Sequence, residues 1–218
     1  MSRIATLPST EPSFLALMLS KDAKNYHVWS YRQWLVRHFS LWDSELDLIE
    51  SFLRDDVRNN SAWNHRWFLI FGRVMNPTVD SIVQMTRGGD KGGQQGHGTG
   101  FQAIDPAIIQ REITYAQAAI RLAPQNQSPW NYLRGVLKAQ GAGLGELAAF
   151  AEEFGNVDRE DEVRSSHALD FLADCYAERR EPERADKALE ILARRYDPIR
   201  RNYWNYRRGL LGVKAVAA

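Results

Sequence analysis

The chain has 218 residues, and its 28 Lys and Arg against 27 Asp and Glu leave a net charge of +1, which gives no basic surplus of the kind nucleic-acid partners require. Its longest apolar stretches, Phe14 to Leu19 and Phe68 to Phe71, fall far below the roughly 20 residues that cross a bilayer, and Met1 to Thr10 holds no apolar signal core. A single cysteine, Cys175, excludes an internal disulfide framework and fits a reducing compartment, so the expectation is a soluble cytoplasmic protein with a substantial core.

In chain order, Glu11 to Ser20 predicts a helix with Phe14, Leu15, Met18 and Leu19 on one face. Asn25 suits an N-cap for a helix over 26–39. Asp43 or Ser44 opens the next helix, where Leu46, Ile49, Glu50 and Leu53 repeat at threes and fours, and Asn60 or Ser61 caps one running to about Val74. The stretch at about 76–105 is glycine-rich and polar, and it reads as a flexible insertion; it lacks the Gly-Lys-Ser/Thr of a phosphate-binding loop. Helical patterning resumes at Pro106 and runs to Leu122, followed by helices at about 128–140, 145–154, 164–179, 182–196 and 198–211. No segment sustains alternation, so β content is expected to be close to none. Cys175, within an apolar run, reads as a small buried side chain.

Four tryptophans punctuate this pattern. Trp29, Trp63, Trp130 and Trp204 sit in near-copies of one motif, Asn-x-x-x-Trp-x-x-Arg in its fullest form, with Arg32, Arg66 and Arg207 three residues on and Arg134 four residues on in the third copy. The first two copies are 34 positions apart, the length of a helix-pair repeat. The wider spacings leave room for the insertion and then for an additional or degenerate pair. The expected fold is all-α, a right-handed α-α superhelix of helix hairpins, in one domain over 1–218 with repeats near 25–39, 59–74, 126–140 and 200–211. The asparagine caps each second helix, the tryptophan fills the space between hairpins, and the arginine stacks on rings or donates to helix-end carbonyls.

The motif lacks the Leu-Gly that follows tryptophan in tetratricopeptide repeats. It resembles instead the repeat of protein prenyltransferase α subunits. Asp22 to Trp29, Trp42 to Leu46, Asp56 to Arg66, Pro129 to Leu137 and Ile199 to Trp204 are similar to the α subunit shared by protein farnesyltransferase and geranylgeranyltransferase type I. The resemblance implies a crescent of helix pairs wrapped around a β subunit, in an enzyme that moves farnesyl or geranylgeranyl from its diphosphate to the cysteine of C-terminal CaaX motifs. It implies zinc, with magnesium, in the complex through the β subunit and substrate, and no cofactor on this chain. The five histidines show no metal-ligand spacing of their own.

By position, Asn25, Tyr26 and His27 match the family segment on the isoprenoid and diphosphate side, Tyr26 and His27 as hydrogen-bond and charge partners. The bland alternative puts Tyr26 in the subunit interface and His27 in solvent at a helix start. No residue is assigned a catalytic role. Lys24 precedes Asn-Tyr, yet its context aligns with the repeat after the one that carries the family's diphosphate lysine. The chain accordingly resembles the C-terminal part of an α subunit, expected to be inactive alone. Competing readings are a peptide-binding tetratricopeptide-like adaptor, the Rab-type geranylgeranyltransferase α subunit, and an RNA-binding repeat suggested by Arg194, Arg195, Arg200, Arg201, Arg207 and Arg208.

Overall fold

A computed structural model describes residues 6–43, 45–75 and 104–212, so most of the predicted glycine-rich insertion, and Ser44, lie outside the described residues. Among the described residues all regular structure is helical. None of these helices is long and apolar enough to cross a membrane. The chain divides into two compact units, Met1–Pro106 and Ala107–Ala218.

The first unit holds α1 (Glu11–Lys21), α2 (Tyr26–Phe39), α3 (Glu45–Asp55) and α4 (Asn60–Met75). The second is built from α5 (Pro106–Leu122), α6 (Gln127–Gln140), α7 (Ala148–Glu152), α8 (Ser166–Glu178), α9 (Pro182–Ile191) and α10 (Arg201–Leu210). A 3₁₀ turn at Leu144–Leu147 precedes α7, where one longer helix was expected. Two glycines dilute helix propensity there, and the Gly145 N–H donates to Glu178 Oε2 at 2.9 Å. The helix expected to run to Tyr196 widens into a π turn over Leu192–Tyr196, closed by an Asp197 N–H to Leu192 carbonyl bond at 2.8 Å.

Three hairpin turns share one construction. Asn25, Asn59 and Asn126 each donate a backbone N–H to the carbonyl three residues back, at 3.2, 3.0 and 2.9 Å. Their side-chain oxygens then accept from the first turn of the following helix: His27 and Val28 for Asn25, Ser61 and Ala62 for Asn59, Ser128 for Asn126. The motif's own Asn59, rather than Asn60 or Ser61, therefore caps α4. Each tryptophan indole N–H donates to the carbonyl two residues before its cap: Trp29 to Ala23 at 2.9 Å, Trp63 to Val57 at 2.8 Å, Trp130 to Pro124 at 2.9 Å. In the fourth copy Trp204 Nε1 meets both the carbonyl and the carboxylate of Asp197, and no side chain caps α10.

All four tryptophans are buried. Trp29 meets Phe52 and His65, each at 5.2 Å between centroids, and Trp130 lies among Phe150, Phe154 and Phe171. The predicted degenerate pair is α7–α8. Ser165 occupies the asparagine position, its hydroxyl accepting from the Ala168 N–H at 3.3 Å, and buried Leu169 replaces the tryptophan. Ser165 Oγ also donates to the Pro124 carbonyl at 2.6 Å, the acceptor that Trp130 uses. Asn59 Nδ2 does the same at the Ala23 carbonyl, 2.9 Å away, beside Trp29. One carbonyl thus holds its own repeat's tryptophan and the next repeat's cap, which fixes the stacking register.

Candidate functional site

The Asn25–Tyr26–His27 segment sits at the start of α2, where Asn25 leaves the helix in extended conformation. Tyr26 is 67% exposed, and its ring lies 3.8 Å from that of His27. Because Asn25 Oδ1 already accepts from the His27 and Val28 N–H groups, the first turn keeps only the Tyr26 N–H for an anion. Lys24, to which no diphosphate role was assigned, is held in an exposed pair with Asp56, Nζ to Oδ2 2.9 Å. At the equivalent positions of the second copy, Ser61 Oγ donates to the Lys24 carbonyl at 3.5 Å.

The expected ring stacking is present for Arg207 over Trp204 at 5.8 Å and for Arg134 over Phe171 at 5.0 Å. The motif arginines also pair with carboxylates, which was not expected. Arg32 forms a bidentate pair with buried Glu45, Nε to Oε2 2.7 Å and Nη2 to Oε1 2.6 Å. Fully buried His65 shares that carboxylate, Nε2 to Oε2 2.9 Å. Burial pushes Glu45 up, but hydrogen bonds from His65 and Arg32 outweigh it and leave the carboxyl below its ordinary range. Burial lowers His65 despite Glu45, so the pair is ionised Glu45 with a neutral imidazole donating from Nε2. Among the described residues nothing meets His65 Nδ1. Arg66, 1% exposed, reaches Glu50 at 3.4 Å. In the third copy buried Leu133 takes the arginine position, and Arg134 projects one residue later.

Arg134 and Arg207 converge on Asp170 and Asp174 of α8. These four line a polar hollow of about 490 Å³ with Gln127, Asn131, Arg200 and Tyr203. Burial, together with the nearby Arg207 charge, outweighs the pull of Asp170 and lowers the Arg134 pKa. Sequence reasoning missed this quartet, since Asp170 and Asp174 lie outside the motif; their i, i+4 spacing facing a degenerate copy was the available signal. In the first unit an apolar hollow of about 590 Å³ lies among α1, α2 and α3, with Arg32 and Glu45 on its wall. It does not include Tyr26 or His27.

Of the six clustered arginines, five meet carboxylates: Arg194 with Glu160, Arg195 with Asp161, Arg200 with Asp197, Arg207 with Asp170 and Asp174, Arg208 with Asp186. Cys175 is buried; its thiol donates to the Leu144 carbonyl at 3.2 Å, and burial pushes it up to about 12. Among the described residues no three His, Cys, Asp or Glu side chains converge as a metal site.

The repeat geometry has a match among known sequences. A profile described as "Protein prenyltransferase alpha subunit repeat" covers residues 8–39, 42–72 and 109–140, which are the three hairpins with Asn-capped turns. The Candida albicans protein farnesyltransferase/geranylgeranyltransferase type-1 subunit alpha is 34% identical over 91% of this chain and 56% of its own length. The chain belongs to the protein prenyltransferase α-subunit repeat family. The family's Dictyostelium discoideum type-1 subunit alpha is 32% identical over 76% of this chain and 44% of its own length. Among solved structures, Candida albicans protein geranylgeranyltransferase-I complexed with GGPP superposes with a TM-score of 0.75 at 32% identity, covering 94% of this chain and 60% of that one. The chain spans about half the length of the curated relatives it matches. Family members named as geranylgeranyl transferase type-2 subunit alpha match at lower identity, 22–26% over 57–62% of the chain.

Proposed function

We propose that this chain acts as the α subunit of a cytoplasmic heterodimeric protein prenyltransferase of type 1. It scaffolds a β subunit and contributes Tyr26 and His27 to the edge of the isoprenyl diphosphate site. The observation that carries this reading is an exposed Tyr-His pair at a capped helix start, inside a repeat whose relatives are named for this enzyme. In the reaction, the cysteine sulfur of a CaaX motif attacks C1 of farnesyl or geranylgeranyl diphosphate. A C–S bond forms as the C–O bond breaks, and diphosphate departs with the electron pair. Zinc, with magnesium, would come with the β subunit and substrate; among the described residues of this chain no three His, Cys, Asp or Glu side chains converge to hold a metal.

Tyr26 donates its hydroxyl to a diphosphate oxygen, and His27 adds a second donor beside it. Asn25 orients both by fixing the helix start. Tyr26→Phe and His27→Ala test the assignment in the αβ complex. A hydrogen bond to a charged group, about 1.5–3 kcal/mol, corresponds to roughly a 10- to 150-fold loss in kcat/KM. Complexes of unchanged stability and unchanged kcat/KM for the isoprenyl diphosphate would place the pair in interface or solvent instead. The tetratricopeptide-like adaptor predicts a chain that neither needs a β subunit nor responds to isoprenyl diphosphate.

A further inference from the structure

Tyr26 and His27 are exposed, and among the described residues their side chains meet each other and hydrogen-bond to no third group. Donors held so loosely take their position from the backbone beneath them, the turn over 22–25. Its own hairpin anchors that turn through the Trp29 indole, which donates to the Ala23 carbonyl at 2.9 Å. Three further contacts reach it from the next turn. Asn59 Nδ2 donates to the same Ala23 carbonyl at 2.9 Å, Ser61 Oγ to the Lys24 carbonyl at 3.5 Å, and Lys24 Nζ pairs with Asp56 Oδ2 at 2.9 Å.

These three differ in strength. The Lys24 pair is solvent-exposed and the Ser61 contact lies at the limit of hydrogen-bond length, so both hold the turn weakly. Asn59 is 1% exposed, and breaking its Nδ2 bond would leave a buried donor unmet. Its Oδ1 meanwhile accepts from the Ser61 and Ala62 N–H groups. One planar amide thus caps α4 and grips the turn ahead of Tyr26, and the Ala23 carbonyl is fixed from two directions.

We infer that Asn59 is a positioning residue for the isoprenyl diphosphate site: through the Ala23 carbonyl it sets where Tyr26 and His27 present their donors. The inference rests on the assignment of Tyr26 and His27 to that site, and adds a residue that does not touch the substrate. Asn25 orients the pair from within its own repeat, and Asn59 does so from the next one. Displacement of such donors by a fraction of an ångström is enough to weaken a reacting complex.

The test uses the αβ complex carrying Asn59→Asp, which keeps an oxygen for the α4 cap and removes the N–H that the Ala23 carbonyl accepts. Ser165→Ala cuts the equivalent link in the second unit, to the Pro124 carbonyl, where Gln127 and Ser128 stand in place of Tyr-His; it controls for general loosening. Hydrogen exchange at residues 25–29 should quicken about tenfold in Asn59→Asp and stay unchanged in Ser165→Ala. The Asn59→Asp complex should lose about tenfold or more in kcat/KM for the isoprenyl diphosphate, with KM for the CaaX peptide unchanged, while Ser165→Ala matches the parent complex. Added to Tyr26→Phe with His27→Ala, the Asn59→Asp change should bring no further loss, because it acts through those two side chains. Unchanged exchange at 25–29 would overturn the inference and leave the Tyr26–His27 assignment standing. The same holds for an equal loss on both backgrounds, which would make Asn59 structural alone. If Tyr26→Phe with His27→Ala leaves kcat/KM unchanged, the site assignment fails and the inference fails with it.

Discussion

Glu45→Gln removes the charge at the centre of the first unit's polar network while keeping side-chain shape. Arg32, whose side chain is 14% exposed, would then be left without its carboxylate, and His65 would face a neutral amide. Removing one member of a buried pair costs about 3–5 kcal/mol, because the other charge stays desolvated. At roughly 2–4 °C per kcal/mol for a chain of this length, thermal unfolding followed by circular dichroism should shift down by about 6–20 °C. Lys24→Ala provides the contrast: its pair with Asp56 has side chains 57% and 43% exposed, and such pairs contribute about 0–1 kcal/mol. Arg32→Met combined with Glu45→Gln should recover much of the loss, giving a coupling energy of about 2 kcal/mol or more. A Glu45→Gln shift no larger than that of Lys24→Ala, with no coupling to Arg32, would refute the buried-network argument.

The same network makes stability acid-sensitive. His65 is lowered in the fold, so its contribution is complete above the unfolded value of about 6.5 and declines as pH falls from there through the folded value. Glu45 is also lowered, so its contribution is present above the ordinary carboxyl value of 4.5 and is lost as pH drops through its folded value. Urea unfolding from pH 8 to 4 should show stability falling below about pH 6.5, and His65→Gln should flatten the upper part of that decline. Trp63→Ala should cost about 3–5 kcal/mol by opening a cavity, whereas Trp63→Phe, which mainly removes the Val57 bond, should cost clearly less; equal losses would contradict the division between packing and hydrogen bonding. Cys175 should resist a thiol reagent in the native chain at pH 8 and react promptly in urea, since burial holds the thiol protonated. Rapid native labelling would show that α8 opens.

The sequence exposed the helices through their periodicity, and the motif located three Asn-capped turns to within a residue. It could not show that the tryptophan's indole nitrogen closes those turns, because carbonyl acceptors leave no trace in side-chain spelling. Residue identity alone also hid the copy at Ser165, where serine replaces asparagine and leucine replaces tryptophan, and only the shared capping by a side-chain oxygen and the Pro124 contact reveal it. The arginines were legible as framework, but their carboxylate partners were not, since Glu45, Asp170 and Asp174 lie 13 to 40 positions away. Tyr26 and His27 were legible as candidates through the family resemblance, since they follow the capping Asn25 where the family's substrate-side segment lies. Their exposure at the start of α2 follows from the cap geometry.

The most direct measurement is co-expression with a type-1 prenyltransferase β subunit, followed by affinity capture on one chain and mass determination of the eluate. The account predicts a stable complex of one α and one β chain, in which exposed Tyr26 becomes protected from solvent. Failure of the two chains to associate, with each folded by circular dichroism, would contradict it.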